Sequence, residues 1–263
     1  MTDSTRPPVV LTEPGRVWRV TLNRPEARNA VSSKVLSGLS AALTEAAADP
    51  ECRAVVVAGN GQDFCAGADV HELLAAREGG DSPAYGQAFE QVLAQIERQP
   101  RPVIASVQGS ALGAGCQIVV ACDLVVAAED ARFGIPSARL GIVINYENVA
   151  RLAAVVGPRR ASEMLLSART LTGVEAVDWG LANVWVEAGA LAAATNELAE
   201  RVAALAPLSV SASKVGLRMA IGPDGERDRE RFEAAAAAAF RSDDLIEGLT
   251  ALRERRTPRF GGR

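Results

Sequence analysis

Two stretches place small residues where a strand gives way to a helix, an arrangement that can offer backbone amides to an anionic oxygen. They are Phe64-Cys65-Ala66-Gly67-Ala68-Asp69 and Gly109-Ser110-Ala111-Leu112-Gly113-Ala114-Gly115-Cys116. Small residues let a ligand approach the main chain closely, and the first N–H groups of a helix have no intrahelical partner. Two such amides converging on one oxygen would form an oxyanion hole. Composition alone leaves open, with equal weight, two tight turns that hold no ligand. A dinucleotide fingerprint is excluded by spacing. Gly109, Gly113 and Gly115 do not make G-x-G-x-x-G, and the turn lies far from the first strand.

Other reactive residue types are sparse. The four cysteines (Cys52, Cys65, Cys116, Cys122) include no C-x-x-C pair, and His71 is the single histidine. No metal set is expected from them. With no secretory leader at the start, the thiols read as reduced and packed, in a cytoplasmic protein. No apolar run is long enough to span a bilayer. A net charge of −4 gives no reason to expect a nucleic-acid partner. The Arg-rich tail from Arg253 to Arg263 reads as a solvated helix end or as a contact for a polyanionic cofactor.

The elements that must position the two turns alternate between short β-rich runs and longer helical ones, which predicts an α/β fold. Hydrophobic residues make up 48% and aromatics only 4%, so the core rests on Ala, Val and Leu. Strands are predicted at Val17–Leu22, Ala54–Ala58, Val103–Val107 and Leu124–Ala127. A helix carrying Val35, Leu36, Leu39, Ala42, Leu43 and Ala46 follows N-caps at Ser32 or Ser33. Asp69–Arg77 reads as a short helix, with Asp69 as a possible cap. Glu78–Pro83 reads as a loop, and Ala84–Arg98 as a helix stopped by Pro100 and Pro102. Met1–Pro8 is expected to fray. From about Val149 the chain is mainly helical, and the Ala234–Ala239 run is helix rather than low complexity. The expected division is a 1–190 α/β core and a 191–263 helical part.

The order of its motifs makes the chain resemble the crotonase (enoyl-CoA hydratase/isomerase) superfamily over nearly its whole length. The matching stretches are Asn23-Arg24-Pro25, Arg28-Asn29-Ala30, the two glycine turns, Arg101–Ala105, Ala121–Leu124 and Phe133-Gly134. Ala176–Leu181, Glu247-Gly248 and Arg255–Phe260 complete the series. The resemblance implies a spiral of ββα turns, a C-terminal helical trimerisation region, and a homotrimer or hexamer. It implies an acyl-CoA thioester as ligand, with CoA part of the substrate and no permanently bound cofactor. By position, the Ala68 and Ala114 amides would grip the thioester oxygen. Arg28, Ala30, Ala66, Ala68, Asp69, Val70, His71 and Phe260 would border the CoA. His71, a single histidine on a polar segment, reads first as a plain exposed residue.

Family members that hydrate enoyl thioesters use two glutamates, one to activate water and one to protonate the α-carbon. At the corresponding positions stand Gln117 and Ser137. An amide is no base near neutral pH, and an unassisted hydroxyl has too high a pKa. The Leu140–Asn148 stretch, Gly-rich in typical hydratases, here carries Asn145, Tyr146 and Glu147. Asn145 could orient a carboxylate or water, and Glu147 could serve as a base or simply sit favourably on a helix's first turn. Tyr146 could wall the acyl pocket. Three readings follow: a lyase or isomerase with non-standard residues, a non-catalytic acyl-CoA-binding protein, or an ordinary hydratase in which Glu147 substitutes.

Overall fold

The computed structural model describes residues 8–79, 82–221 and 225–263. The expected fraying of the first residues lies outside that range except for Pro8. Strands β1 (Val10–Glu13) and β2 (Val17–Leu22) form an antiparallel hairpin with Val10 opposite Leu22. The sequence reading began the sheet only at β2, whose alternation sends Trp18, Val20 and Leu22 into the core. Helix α1 (Ser33–Ala48) starts where the Ser32 side chain accepts from the Val35 N–H, and buries the six apolar residues that its period predicts. Strand β3 (Ala54–Gly59) runs parallel to β2; five of its six residues are buried, as suits a strand covered on both faces.

Helices α2 (Val70–Gly79) and α3 (Ser82–Arg98) follow. The loop expected at Glu78–Pro83 is therefore shorter. Glu78, Gly79, Ser82 and Pro83 are helical, while Gly80 and Asp81 lie outside the described residues. Pro83 is the reason on the far side, because proline suits the first turn of a helix and opens α3 rather than marking a loop. Then come β4 (Val103–Val107), β5 (Ser110–Leu112), α4 (Ala114–Ala121), β6 (Leu124–Ala128) and β7 (Arg132–Gly134). Beyond a 3-10 turn at Ser137–Leu140 lie α5 (Tyr146–Val156), α6 (Pro158–Leu166), β8 (Leu171–Thr172), α7 (Gly173–Asp178) and β9 (Val184–Val186). The chain ends in α8 (Leu191–Ala203), α9 (Pro207–Ile221), α10 (Gly225–Phe240) and α11 (Asp243–Glu254).

The main sheet has the order β1-β2-β3-β4-β6-β9, parallel from β2 onward, and a smaller sheet has the order β5-β7-β8. After each parallel strand the chain touches a second layer before its helix. Val31 bridges Ala68, Cys65 bridges Ala111, and β5 pairs with β7. That repetition is the spiral of ββα turns. One core fills the space between the main sheet, α1, α3, α4 and the small sheet. A second core lies on the opposite face, where Leu191 and Ala199 of α8 meet Val56, Ile104 and Val126. There the hydroxyls of Ser106 and Thr195 share a buried hydrogen bond of 2.9 Å.

Helix α9 is fastened to the body by charge. The Lys214 ammonium donates to Asp123 Oδ2 at 2.6 Å and to the Ile96 and Arg101 carbonyls at 3.0 and 3.2 Å. Arg218 adds bonds to Glu97 and to the Ala121 carbonyl. Helix α10 packs back along α9, and a side chain at Gly216 would strike the Phe232 ring at 2.8 Å. Among the described residues no helix is long and apolar enough to cross a membrane.

Candidate active site

The two glycine turns meet. Cys65 N–H donates to Ser110 O at 2.8 Å and Leu112 N–H to Cys65 O at 2.9 Å, which straps the first turn to β5. A Cβ built on Gly113 would stand 3.7 Å from Gly67 Cα, and one on Gly67 would stand 3.4 Å from Leu112 O. Both glycines have positive φ, +130° and +52°. That conformation is costly for other residues and turns the next N–H out of the local ladder. Gly115 has a different reason to be glycine, since a Cβ there would meet Cys65 O at 2.4 Å. Close packing of the turns, rather than ligand approach, accounts for that position.

Around these turns the strand N–H groups are spent. Phe64 donates to Gln108, Ala66 to Arg28, Asp69 to Val31 and Gly113 to Gly134. Among the described residues, Gly67 and Ala68 on the first turn, and Ala114, Gly115 and Cys116 on the second, donate their N–H groups to no protein acceptor. Ala114 is the first residue of α4, so its N–H has no intrahelical acceptor either. Unpaired donors from both turns thus stand where the turns converge. Such an arrangement can hold an oxygen that gains negative charge, with no reorganisation required as the charge develops.

Asp63 holds this geometry together and was not singled out from the sequence. Its carboxylate takes two bonds from Arg28, at 2.8 and 3.1 Å, and one from the Ser110 N–H at 2.8 Å. The Arg28 guanidinium, with help from Ser110, holds that carboxyl down to about 2. Arg28 itself also donates to Ser110 Oγ at 2.7 Å. Among the residues expected to border the CoA, Arg28 therefore has its side chain committed to the turns. Ala30 O accepts from Arg24, and Asp69 caps α2 through the His71 and Glu72 N–H groups while pairing with Arg24 at 3.0 Å. Burial works against ionisation of Asp69, but Arg24 and those N–H groups outweigh it and its pKa is lowered. Val70 and His71 are exposed. Phe260 sits beside Gly248 of α11, and the following Gly262 lies near Pro207 and Arg53, just before the start of β3. The glycine turn instead follows the other end of β3, so within one chain the two regions are not brought together.

The four candidate catalytic side chains separate into two pairs. Gln117 is buried at 8% exposure on the first turn of α4, and Ser137 is half-buried at the start of the 3-10 turn. Among the described residues neither side chain makes a hydrogen bond. Asn145 is committed to structure. Its Oδ1 accepts from the Asn148 N–H and from Asn148 Nδ2, and its Nδ2 donates to Glu90. Glu147 and Tyr146 are exposed on the first turn of α5. Both line a cavity of ≈ 470 Å³ with Arg151, Lys214 and Arg218, between α3, α5 and α9. The cysteines are buried, and burial lifts the thiols of Cys65 and Cys116 to about 12. That removes them as nucleophiles, which need a depressed pKa.

A ββα spiral with unpaired amides at two converging glycine turns defines the class of α/β protein to which this chain belongs. Comparison with known proteins sharpens that class. The family model for Enoyl-CoA hydratase/isomerase matches residues 12–263. The 2,3-dehydroadipyl-CoA hydratase of Escherichia coli (strain K12) is 36% identical over 259 residues, covering 97% of this chain and 99% of that protein. A short-chain-enoyl-CoA hydratase of Clostridium acetobutylicum is 34% identical, covering 94% and 95%. Among solved structures, an enoyl-CoA hydratase/carnithine racemase from Magnetospirillum magneticum superposes with a TM-score of 0.91 at 30% identity, covering 98% and 97%. The chain belongs to the enoyl-CoA hydratase/isomerase family, the crotonase superfamily.

Proposed function

We propose that the chain binds an acyl-CoA thioester and holds its carbonyl oxygen between the Ala68 and Ala114 amides. The observation that carries this reading is that each turn keeps unpaired N–H groups, Ala68 and Ala114 among them, at the meeting of Gly67 and Gly113. Charge that develops on the thioester oxygen in an enolate would be stabilised there, and a single donor of this kind is worth ~10²–10³ in rate. The CoA enters as part of the substrate, bordered by the Ala66 to His71 stretch. The names of the relatives support an enzyme acting on an enoyl-CoA, and we place it in the cytoplasm as a lyase or isomerase.

Ordinary hydration is not supported. Gln117 and Ser137 supply neither a base nor an acid, Asn145 is held by its cap bonds, and Glu147 lies exposed on α5. We expect crotonyl-CoA hydration, followed by loss of enoyl absorbance, to run ~10²–10⁴-fold below that of a two-glutamate relative. Turnover in the usual ~1–10³ per second range would overturn this. The absence of a carboxylate at both positions favours a second reading, a non-catalytic acyl-CoA-binding protein. Acyl-CoA binding without consumption of any enoyl or 3-hydroxyacyl thioester would select it. The assembly we propose is a homotrimer or hexamer, with residues 191–263 as the oligomerisation region and α8 as its anchor on the sheet.

A further inference from the structure

We infer that Tyr85 is a positioning residue for the oxyanion hole, its hydroxyl holding the Val31 carbonyl so that the Ala68 N–H stays aimed at the substrate oxygen. The inference rests on the hole proposed above. The Ala68 N–H belongs to the peptide group whose carbonyl is Gly67 O. Such a group is planar and trans, so its N–H and C=O point in opposite directions. Gly67 O accepts from the Val31 N–H at 2.8 Å and, weakly, from the Cys65 thiol at 3.6 Å. Val31 therefore turns the Ala68 N–H to the other side, away from the ladder. Gly67, at φ +130°, offers little resistance of its own to rotation of this peptide group. The aim of the donor depends on where Val31 stands.

Val31 is fully buried and bridges Ala68 in parallel. Its carbonyl accepts from the Asp69 N–H at 2.9 Å and from the Tyr85 hydroxyl at 2.8 Å. The Asp69 bond already pairs that buried carbonyl, so the hydroxyl is not needed to satisfy it. What the second bond adds is a fixed direction, with both lone pairs of Val31 O engaged. Tyr85 is itself well anchored near the start of α3. Its ring stacks on Phe89 one turn on, with centroids 6.5 Å apart and planes at 6°, and Phe89, Leu93 and Ile96 are buried along the same helix. Burial pushes the phenol above its ordinary range, so it remains a donor throughout neutral pH. A phenylalanine would stack equally well. The hydroxyl is what calls for a reason, and the carbonyl it meets belongs to the residue that brackets the first donor of the hole.

The test is calorimetric titration of the full-length protein with butyryl-CoA, with S-butyl-CoA, the thioether that lacks the carbonyl oxygen, and with free CoA. Wild type is compared with Tyr85→Phe, which keeps the ring and its stack and loses one hydroxyl. The wild-type preference for the thioester over the thioether should be on the order of tenfold, the size of two neutral hydrogen bonds. In Tyr85→Phe it should fall to about threefold, because one of the two donors loses its aim. Thioether and free CoA should bind as they do to the wild type. Tyr85→Met, whose flexible side chain fills irregular gaps, serves if the phenylalanine variant does not fold. A folded variant that keeps the wild-type preference overturns this inference alone. Equal weakening of all three ligands also overturns it, because the hydroxyl would then support the fold or the CoA site rather than the donor. A wild-type protein with no preference for the thioester removes the oxyanion hole, and this inference with it.

Discussion

In the proposed site Ala114 acts through its N–H, and its methyl group is incidental. Ala114→Gly keeps the donor, so we expect acyl-CoA affinity and any turnover to change little. Ala114→Pro deletes the donor at a first helical position, where proline is tolerated. If the protein is a catalyst, that loss should remove ~2.7–4 kcal/mol of transition-state stabilisation. If it only binds, acyl-CoA affinity should fall while free CoA binding stays nearly constant. Circular dichroism and oligomer size establish that the variant is folded, and a folded variant unchanged in both respects would put the hole elsewhere. Asp63 is the second residue to change, because it ties Arg28 to Ser110 across the two turns. Charged hydrogen bonds of this kind contribute about 1.5–3 kcal/mol, so Asp63→Ala should lower urea-unfolding stability by that order. The sign of the pH effect follows from a carboxyl held below its ordinary value of 3.8, at about 2. Its contribution is complete above about 4 and is lost as pH falls towards about 2. The gap between wild type and Asp63→Ala should narrow over that range and stay constant at neutral pH.

Helix α9 depends on one buried ammonium. Lys214 is 7% exposed and spends its donors on Asp123 and two carbonyls. Lys214→Met strips Asp123 of its closest cation, and breaking a buried pair from one side typically costs ~3–5 kcal/mol. We expect faster amide exchange in α9 and a lower unfolding midpoint; unchanged exchange in α9 would show that apolar packing alone holds it. The elements differed in how far the sequence revealed them, for physical reasons. Helix α1 and strands β3 and β4 were legible because a cap or an unbroken apolar run marks each one. Strand β9 was not, because three residues carry no period and two of its three are exposed. The same holds for the short strands of the small sheet. The glycine turns were legible by residue type. That Ala68 and Ala114 keep unpaired N–H groups was not, since it depends on Cys65 lying beside Ala111, a contact across 46 positions of sequence. Nor could residue type reveal that Asn145 is consumed as a cap while Gln117 is left unpaired.

At the scale of the molecule, the C-terminal helices leave apolar surface uncovered. Leu217, Phe240, Ile246, Leu249 and Leu252 are each more than half exposed. Exposed large apolar side chains on these helices suit the proposed interface, which a closed ring would cover. Light scattering should return three or six times the 27.5 kDa chain mass. A monomer at micromolar concentration would reject the assembly while leaving the site untouched. The site is tested most directly by the oxygen it is held to grip. Butyryl-CoA and S-butyl-CoA, its thioether analogue, differ only in the carbonyl, and their dissociation constants can be compared by calorimetry under identical conditions. Two neutral hydrogen bonds should make the thioester bind on the order of tenfold more tightly. A thioether that binds equally well or better would mean that no donor pair meets the carbonyl.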